Sequence, residues 1–133
     1  MIKYMLDTNI LIYTIKNRPN KVREAFKEHA EFLAMSTVSL GELVYGAEKS
    51  SQSARNLADI EALAARLDVV PFDGEAAIHF GQIRVELEKS GKVIGPYDLM
   101  IAGHARSRGL ILVTNNLREF KRVPGLRVEN WVR

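Results

Sequence analysis

Ile2-Lys3-Tyr4-Met5-Leu6-Asp7-Thr8-Asn9 is the stretch that decides the fold. Residues 2–6 read as a short buried strand, Asp7 halts the apolar run, and residues 9–16 read as a helix that stops near Asn17-Arg18-Pro19. A carboxylate between a buried strand and a helix belongs at the carboxyl edge of a parallel sheet, where open α/β folds place their chemistry.

The rest of the chain repeats the alternation. Residues 21–31 read as a helix with Val22, Ala25, Phe26 and Ala30 at helical spacing, and 32–35 as a weak strand. Helices follow at 40–48 and, after a Ser/Gln break, at 54–66, where Leu57, Ile60, Leu63, Ala64 and Leu67 share one face. A strand at 68–72 precedes a helix at 74–90 capped by Gly91, and a helix at 96–106 ends at Gly109. Residues 110–113 are wholly apolar, and 127–129 read as a last short strand. Short apolar strands alternating with helices predict an α/β fold, a parallel sheet covered on both faces, in one domain spanning 1–133.

Composition narrows the chemistry. The 133 residues are 47% hydrophobic and 26% charged, ordinary for a globular chain. The absence of cysteine excludes disulfides and thiolate metal sites, leaving carboxylates and three histidines as ligands. The histidines show no short metal-ligand spacing and are expected to be packed or solvated. No apolar stretch approaches the roughly 18 residues of a membrane span, and the first apolar segment is too short for a secretory leader, so a cytoplasmic protein is expected. Residues 84–133 carry ten Lys/Arg against five Asp/Glu, a net of +5, whereas residues 1–83 are net −2. Nucleic acid is a plausible partner for such a surface. Lys16, Arg18, Arg84, Lys92 and Arg118 are candidate phosphate contacts, unranked by sequence.

Asp7, Glu42 and Asp98 each have a plain structural alternative. Asp7 or Thr8 can simply cap the next helix. Ser39-x-x-Glu42 has the form of a capping box. Asp98, entered through Gly95-Pro96, sits where a helix dipole favours negative charge. What distinguishes the three is a common expected position at one edge of the sheet. Two carboxylates about 4 Å apart repel by roughly 4 kcal/mol at an effective dielectric near 20, so a cation or a proton must intervene. Mg²⁺ or Mn²⁺ suits an all-oxygen site. In Thr114-Asn115-Asn116-Leu117-Arg118-Glu119-Phe120, Glu119 is a fourth candidate acid at the same edge. Thr8, Asn9, Thr114, Asn115 and Asn116 are candidate polar or substrate contacts, although paired asparagines also suit turns.

At these residues the chain resembles the PIN-domain ribonucleases, in particular the VapC toxins of VapBC type II toxin–antitoxin pairs. The matching segments are Met5-Leu6-Asp7-Thr8-Asn9, Glu42-Leu43-x-x-Gly46, Gly95-Pro96-Tyr97-Asp98-x-x-Ile101-Ala102-x-His104-Ala105, Thr114-Asn115-Asn116-x-x-Glu119-Phe120 and Val128-Glu129-Asn130-Trp131. The resemblance implies a three-layer α/β/α sandwich and an acidic Mg²⁺ (or Mn²⁺) pocket. Asp7, Glu42 and Asp98 would be its core acids, with Asp7 and Asp98 as the metal ligands. The fourth corner falls to Glu119 or Asn116. It also implies an endoribonuclease acting on RNA, with the initiator tRNA anticodon stem-loop as the expected target, so inhibiting translation. The expected partners are a VapB antitoxin, through which alone operator DNA is bound, and a second copy of the chain. Two alternatives stand beside it: a non-catalytic RNA-binding module of the same fold, and a phosphoaspartyl phosphatase or receiver. The last lacks its second acid at Asn9 or the acidic pair before its phosphorylated Asp.

Overall fold

In the computed structural model, which describes residues 1–132, the apolar run around Met5 contracts to β1 (Tyr4–Leu6), followed at once by α1 (Thr8–Lys16). Asn17 closes α1 in a left-handed conformation with φ 56°, its N–H turning back to Thr14 O. Next come α2 (Asn20–Glu28), a 3₁₀ turn (Ala30–Phe32), β2 (Leu33–Ser36), α3 (Thr37–Glu48), α4 (Ser53–Ala64) and β3 (Asp68–Val70). The chain continues through α5 (Gly74–Lys89), α6 (Pro96–Ser107), β4 (Ile111–Val113), α7 (Leu117–Phe120) and β5 (Val128–Glu129). Every strand expected from the sequence is present; four are trimmed, and β2 is shifted one residue, from 32–35 to Leu33–Ser36. The expected helix at 21–31 splits into α2 and the 3₁₀ turn, and the four-residue α7 was not foreseen.

The strands pair in the order β3-β2-β1-β4-β5, all parallel. The chain works outward from β1 to β3 on one side and then resumes at β4 on the other. The strand order therefore reverses between β1 and β4, and at such a point the connections diverge and leave a crevice beyond the carboxyl ends. Asp7 ends β1 and Thr114 ends β4, so both rim that crevice; Leu6 pairs with Val113 just below them.

Side-chain alternation divides the core. Met5 and Leu112 enter one apolar layer while Leu6 and Val113 enter the other, because successive strand residues face opposite sides. The first layer holds Ile83 and Leu87 of α5, Leu99 and Ile101 of α6 and Phe120 of α7. The second holds Ile10, Phe26, Leu43 and Ile60 of α1 to α4, with Trp131 closing it against Tyr4 and His29. The result is the expected three-layer α/β/α arrangement.

The α5–α6 contact has a critical point at Gly103, where an added Cβ would lie 2.7 Å from Phe80 N and 2.8 Å from Phe80 Cα. Alanine gains about 1 kcal/mol of helix propensity over glycine, whereas overpacking costs roughly 1–3 kcal/mol. The obstacle is backbone and cannot swing aside, so overpacking should prevail. Gly103→Ala is expected to lose up to about 2 kcal/mol net and lower the melting temperature by a few degrees, read by circular dichroism; an unchanged or higher melting temperature would show that the helices separate freely.

Candidate metal-assisted active site

Asp7 is indeed the N-cap of α1: its Oδ1 accepts from Ile10 N–H at 2.9 Å. A second cap differs in its surroundings. Asp73 caps α5 in the same way, with Ala76 N–H at 3.0 Å from Oδ1, and its pKa is lowered chiefly by that bond. Asp7, bonded alike, has its pKa raised, first by burial and then by the charge of Glu42; the Thr114 hydroxyl and the Ile10 and Asn9 N–H groups only partly offset the rise. The difference between the two caps is chiefly burial, since Asp73 is exposed whereas Asp7 is buried, with the neighbouring charge of Glu42 added to it.

Asp98 repeats the pattern. It lies in the first turn of α6, behind Gly95 as N-cap and Pro96. The dipole alone would lower its pKa, yet the pKa is raised to about 6, first by desolvation and then by Glu119, Asp7 and Glu42 in that order. Four acids from α1, α3, α6 and α7 thus act on one another across the crevice.

Glu42 corrects the sequence reading. α3 begins at Thr37 rather than Leu40, and its N-cap is Ser36, whose hydroxyl accepts from Val38 N–H at 3.0 Å. Ser39 is buried inside the helix, so Ser39 and Glu42 form no capping box. β2 pairing extends to Ser36 opposite Val70, which moves the strand-to-helix junction three residues upstream. Glu42 Oε1 instead accepts from the Thr8 hydroxyl at 2.6 Å, and Thr8 Oγ1 lies 3.2 Å from Ser39 Oγ. A hydroxyl next to the first acid therefore holds the second. Ser39 was missed as part of the site, although its place one turn before Glu42 puts both on one helix face.

The β4 exit is as ordered. Thr114 is fully buried, and its Oγ1 accepts from Asn116 N–H at 2.9 Å. Asn115 donates from Nδ2 to Tyr13 Oη at 2.9 Å, while its buried Oδ1 has no partner; no sequence signal linked Tyr13 to this loop. Asn116 precedes α7 without a side-chain cap bond. Asn9 is exposed in the first turn of α1. The histidines are elsewhere: His29 stacks on Trp131, His79 accepts from Arg106, and buried His104 pairs with Ser36, its pKa lowered first by desolvation.

Among the described residues, no three acidic or histidine side chains converge into a closed metal cage, and no ion pair involves the four acids. The donors on offer are all hard carboxylate oxygens, the kind that Mg²⁺ takes one or two of while keeping several waters. Burial raises the pKa of Asp7 and Asp98 first, and the neighbouring acids add to it. The residues fit such an ion.

If Glu42 acts on a water, Glu42→Gln should keep the Thr8 bond and the melting temperature while cleavage drops on the order of 10²-fold. Thr8→Val should give a smaller loss by freeing Glu42. Melting curves and cleavage rates on the same samples check both, and full activity in Glu42→Gln would remove it from the site.

Comparison with known proteins agrees with this geometry. The PIN domain family profile matches residues 4–126. A protein of Shigella flexneri called tRNA(fMet)-specific endonuclease VapC is 60% identical over 131 residues, covering 98% of this chain and 99% of its own. Its namesake from Salmonella typhimurium is 56% identical over the same shares of both chains. A crystal structure of DNA-bound VapBC from Salmonella typhimurium superposes with a TM-score of 0.94 at 56% identity, over 98% of this chain and 99% of that one. The chain belongs to the PIN-domain family, in its VapC branch.

Proposed function

We propose that this chain is the toxin of a VapBC type II toxin–antitoxin pair, a Mg²⁺-dependent endoribonuclease that cuts tRNA and so inhibits translation. The initiator tRNA anticodon stem-loop is its substrate, as the names of its relatives from Shigella and Salmonella suggest for those proteins. The observation that carries the catalytic reading is the meeting of the acids at the end of β1: the Thr8 hydroxyl beside Asp7 holds Glu42 Oε1 at 2.6 Å, and Asp98 feels the charges of Glu119, Asp7 and Glu42 together. It favours a working site over a degenerate RNA-binding module.

Asp7 and Asp98 would hold the ion, with Mn²⁺ an acceptable substitute. When bound, the ion polarises a phosphoryl oxygen and makes a bound water more acidic. Glu42, with Oε1 occupied by Thr8, offers Oε2 to take the proton of the attacking water. That water's oxygen bonds to phosphorus, the bond from phosphorus to the leaving ribose oxygen breaks, and the leaving oxygen takes a proton from solvent water while Glu42 returns its proton to solvent. Glu119 is taken as the fourth corner in preference to Asn116 because it alone of the two is a carboxylate, and its charge reaches Asp98. Thr114 steadies Asp7 from the adjoining strand, and Asn115 and Asn116 line the exit where substrate arrives.

The expected partners are a VapB antitoxin, as in the toxin–antitoxin complexes of similar fold, and a second copy of this chain, with operator DNA reached through the antitoxin. The same reading places one PIN domain over 1–133 in the cytoplasm; no helix among the described residues is long and apolar enough to cross a membrane.

Purified protein should cut initiator tRNA in its anticodon loop, spare elongator tRNA, stop on EDTA and resume with excess Mg²⁺ or Mn²⁺. Tight RNA binding without cleavage under all these conditions would instead select the binding-module reading.

A further inference from the structure

The acidic site opens into a groove. Glu42 lines a hollow of about 290 Å³ between α1, α3 and α4, shared with Lys16, Asn56 and Asp59 over an apolar floor that includes Ile15 and Ile60. Lys16 also lines an adjoining hollow of about 680 Å³ with Arg18, Arg55, Ser50 and Ser51, and a third with Arg18 and Tyr13. Lys16 is thus the common wall between the acids and a cationic surface.

These cations are uncommitted. Lys16, Arg18 and Arg55 are exposed and form no ion pair among the described residues; Arg55 reaches only the neutral Gln52 Oε1 at 3.3 Å. Some other arginines are engaged, Arg84 with Glu88 at 3.2 Å and Arg106 and Arg122 each with a backbone carbonyl, whereas Lys92 and Arg118 are as unpaired as Lys16 but line none of these hollows. Asp59 is the one acid on the wall of the larger hollow. α4 starts beside it with no side-chain cap and no acid in its first turn, which adds partial positive charge.

We propose that Lys16, Arg18 and Arg55 form a backbone-phosphate subsite for RNA, continuous with the cleavage site through the groove beside Glu42. The proposal rests on the ribonuclease reading and deepens it. Four carboxylates repel a polyanion, so affinity has to come from cations outside the acidic crevice but connected to it. The subsite meets that need with two guanidinium forks shaped for phosphate oxygens, one ammonium and the Ser51 hydroxyl, while the Ser50 hydroxyl is spent on Ala47 O. Of the five phosphate contacts open on sequence, the fold places Lys16 and Arg18 on this path, and it adds Arg55.

The test uses a fluorescein-labelled initiator tRNA anticodon stem-loop. The protein carrying Lys16→Gln, Arg18→Gln and Arg55→Gln together should show KM raised about 10–100-fold with kcat within about twofold. Its binding should depend less on salt, by about two units of log–log slope for three lost phosphate contacts. Lys16→Arg with Arg18→Lys and Arg55→Lys should retain most of the affinity. Binding measured on Asp98→Asn protein reads the subsite even if cleavage fails, so failure of the ribonuclease reading and failure of the subsite remain distinct. An unchanged KM and salt slope in the glutamine variant overturns the subsite. So does weakened binding of a purified antitoxin with RNA binding intact, which would make the surface a protein-docking site.

Discussion

Asparagine in place of Asp98 is expected to give a folded protein whose RNA cleavage falls on the order of 10³-fold, while its metal-free melting temperature rises. The two effects share one cause. The Asp98 pKa is raised to about 6 by desolvation and by Glu119, Asp7 and Glu42, so above that pH its charge opposes folding when no cation is bound. A rise of about two units corresponds to roughly 3 kcal/mol, reduced by solvent screening at this half-buried position to about 1–2 kcal/mol. Asparagine has nearly the same shape and no charge, so it removes the opposition together with the ligand.

The pH dependence has a definite sign. Between the unfolded pKa near 3.8 and the folded value near 6, the folded protein binds more protons than the unfolded chain. Stability of the metal-free protein therefore increases as pH falls from about 7.5 to about 5 and is lost again as pH rises through about 6. Mg²⁺ should reverse the trend by binding the ionised form. Calorimetry of wild type and Asp98→Asn with EDTA, at both pH values, reads it directly. A variant that melts lower than wild type at pH 7.5 would show that Asp98 stabilises α6 as an ordinary first-turn acid.

Asp7 allows its two roles to be separated. Asn is as good an N-cap as Asp, whereas Ala is not. Asp7→Asn should keep the Ile10 N–H bond and cost no stability, yet lose cleavage on the order of 10³-fold, because an amide oxygen is a poor ligand for a hard cation. Asp7→Ala should lose the same activity and also about 1 kcal/mol of stability. Equal melting temperatures would show that the cap contributes little. Appreciable Mg²⁺-dependent cleavage by Asp7→Asn would remove Asp7 from the metal site and leave it as a cap.

The parts of the site legible in sequence were those fixed by local order. Asp7 could be placed because an apolar run at 2–6 stops at it and a helix follows within two residues, and the structure narrows that gap to Asp7 alone. Asp98 could be placed because Gly95-Pro96 marks a helix start whatever lies around it. Glu42 was ambiguous for an equally local reason: Ser39-x-x-Glu42 has the form of a capping box, and the real cap, Ser36, lies three residues upstream. Only the pairing of Ser36 with Val70 decides that the strand runs on to Ser36, making it the cap and freeing Glu42 to bond Thr8.

The sequence by itself determined the alternation of strands and helices, and with it the parallel sheet and the family, because apolar periodicity and helix signals act within a few residues. The tertiary structure decided which groups meet: Thr8 with Glu42 across 34 positions, Asn115 with Tyr13 across 102, and Lys16 on the wall it shares with the acids. Such contacts depend on strand order and on where α3 and α7 begin. The raised pKa values of Asp7 and Asp98 follow from them, since desolvation and repulsion are properties of distance and burial that no local pattern encodes.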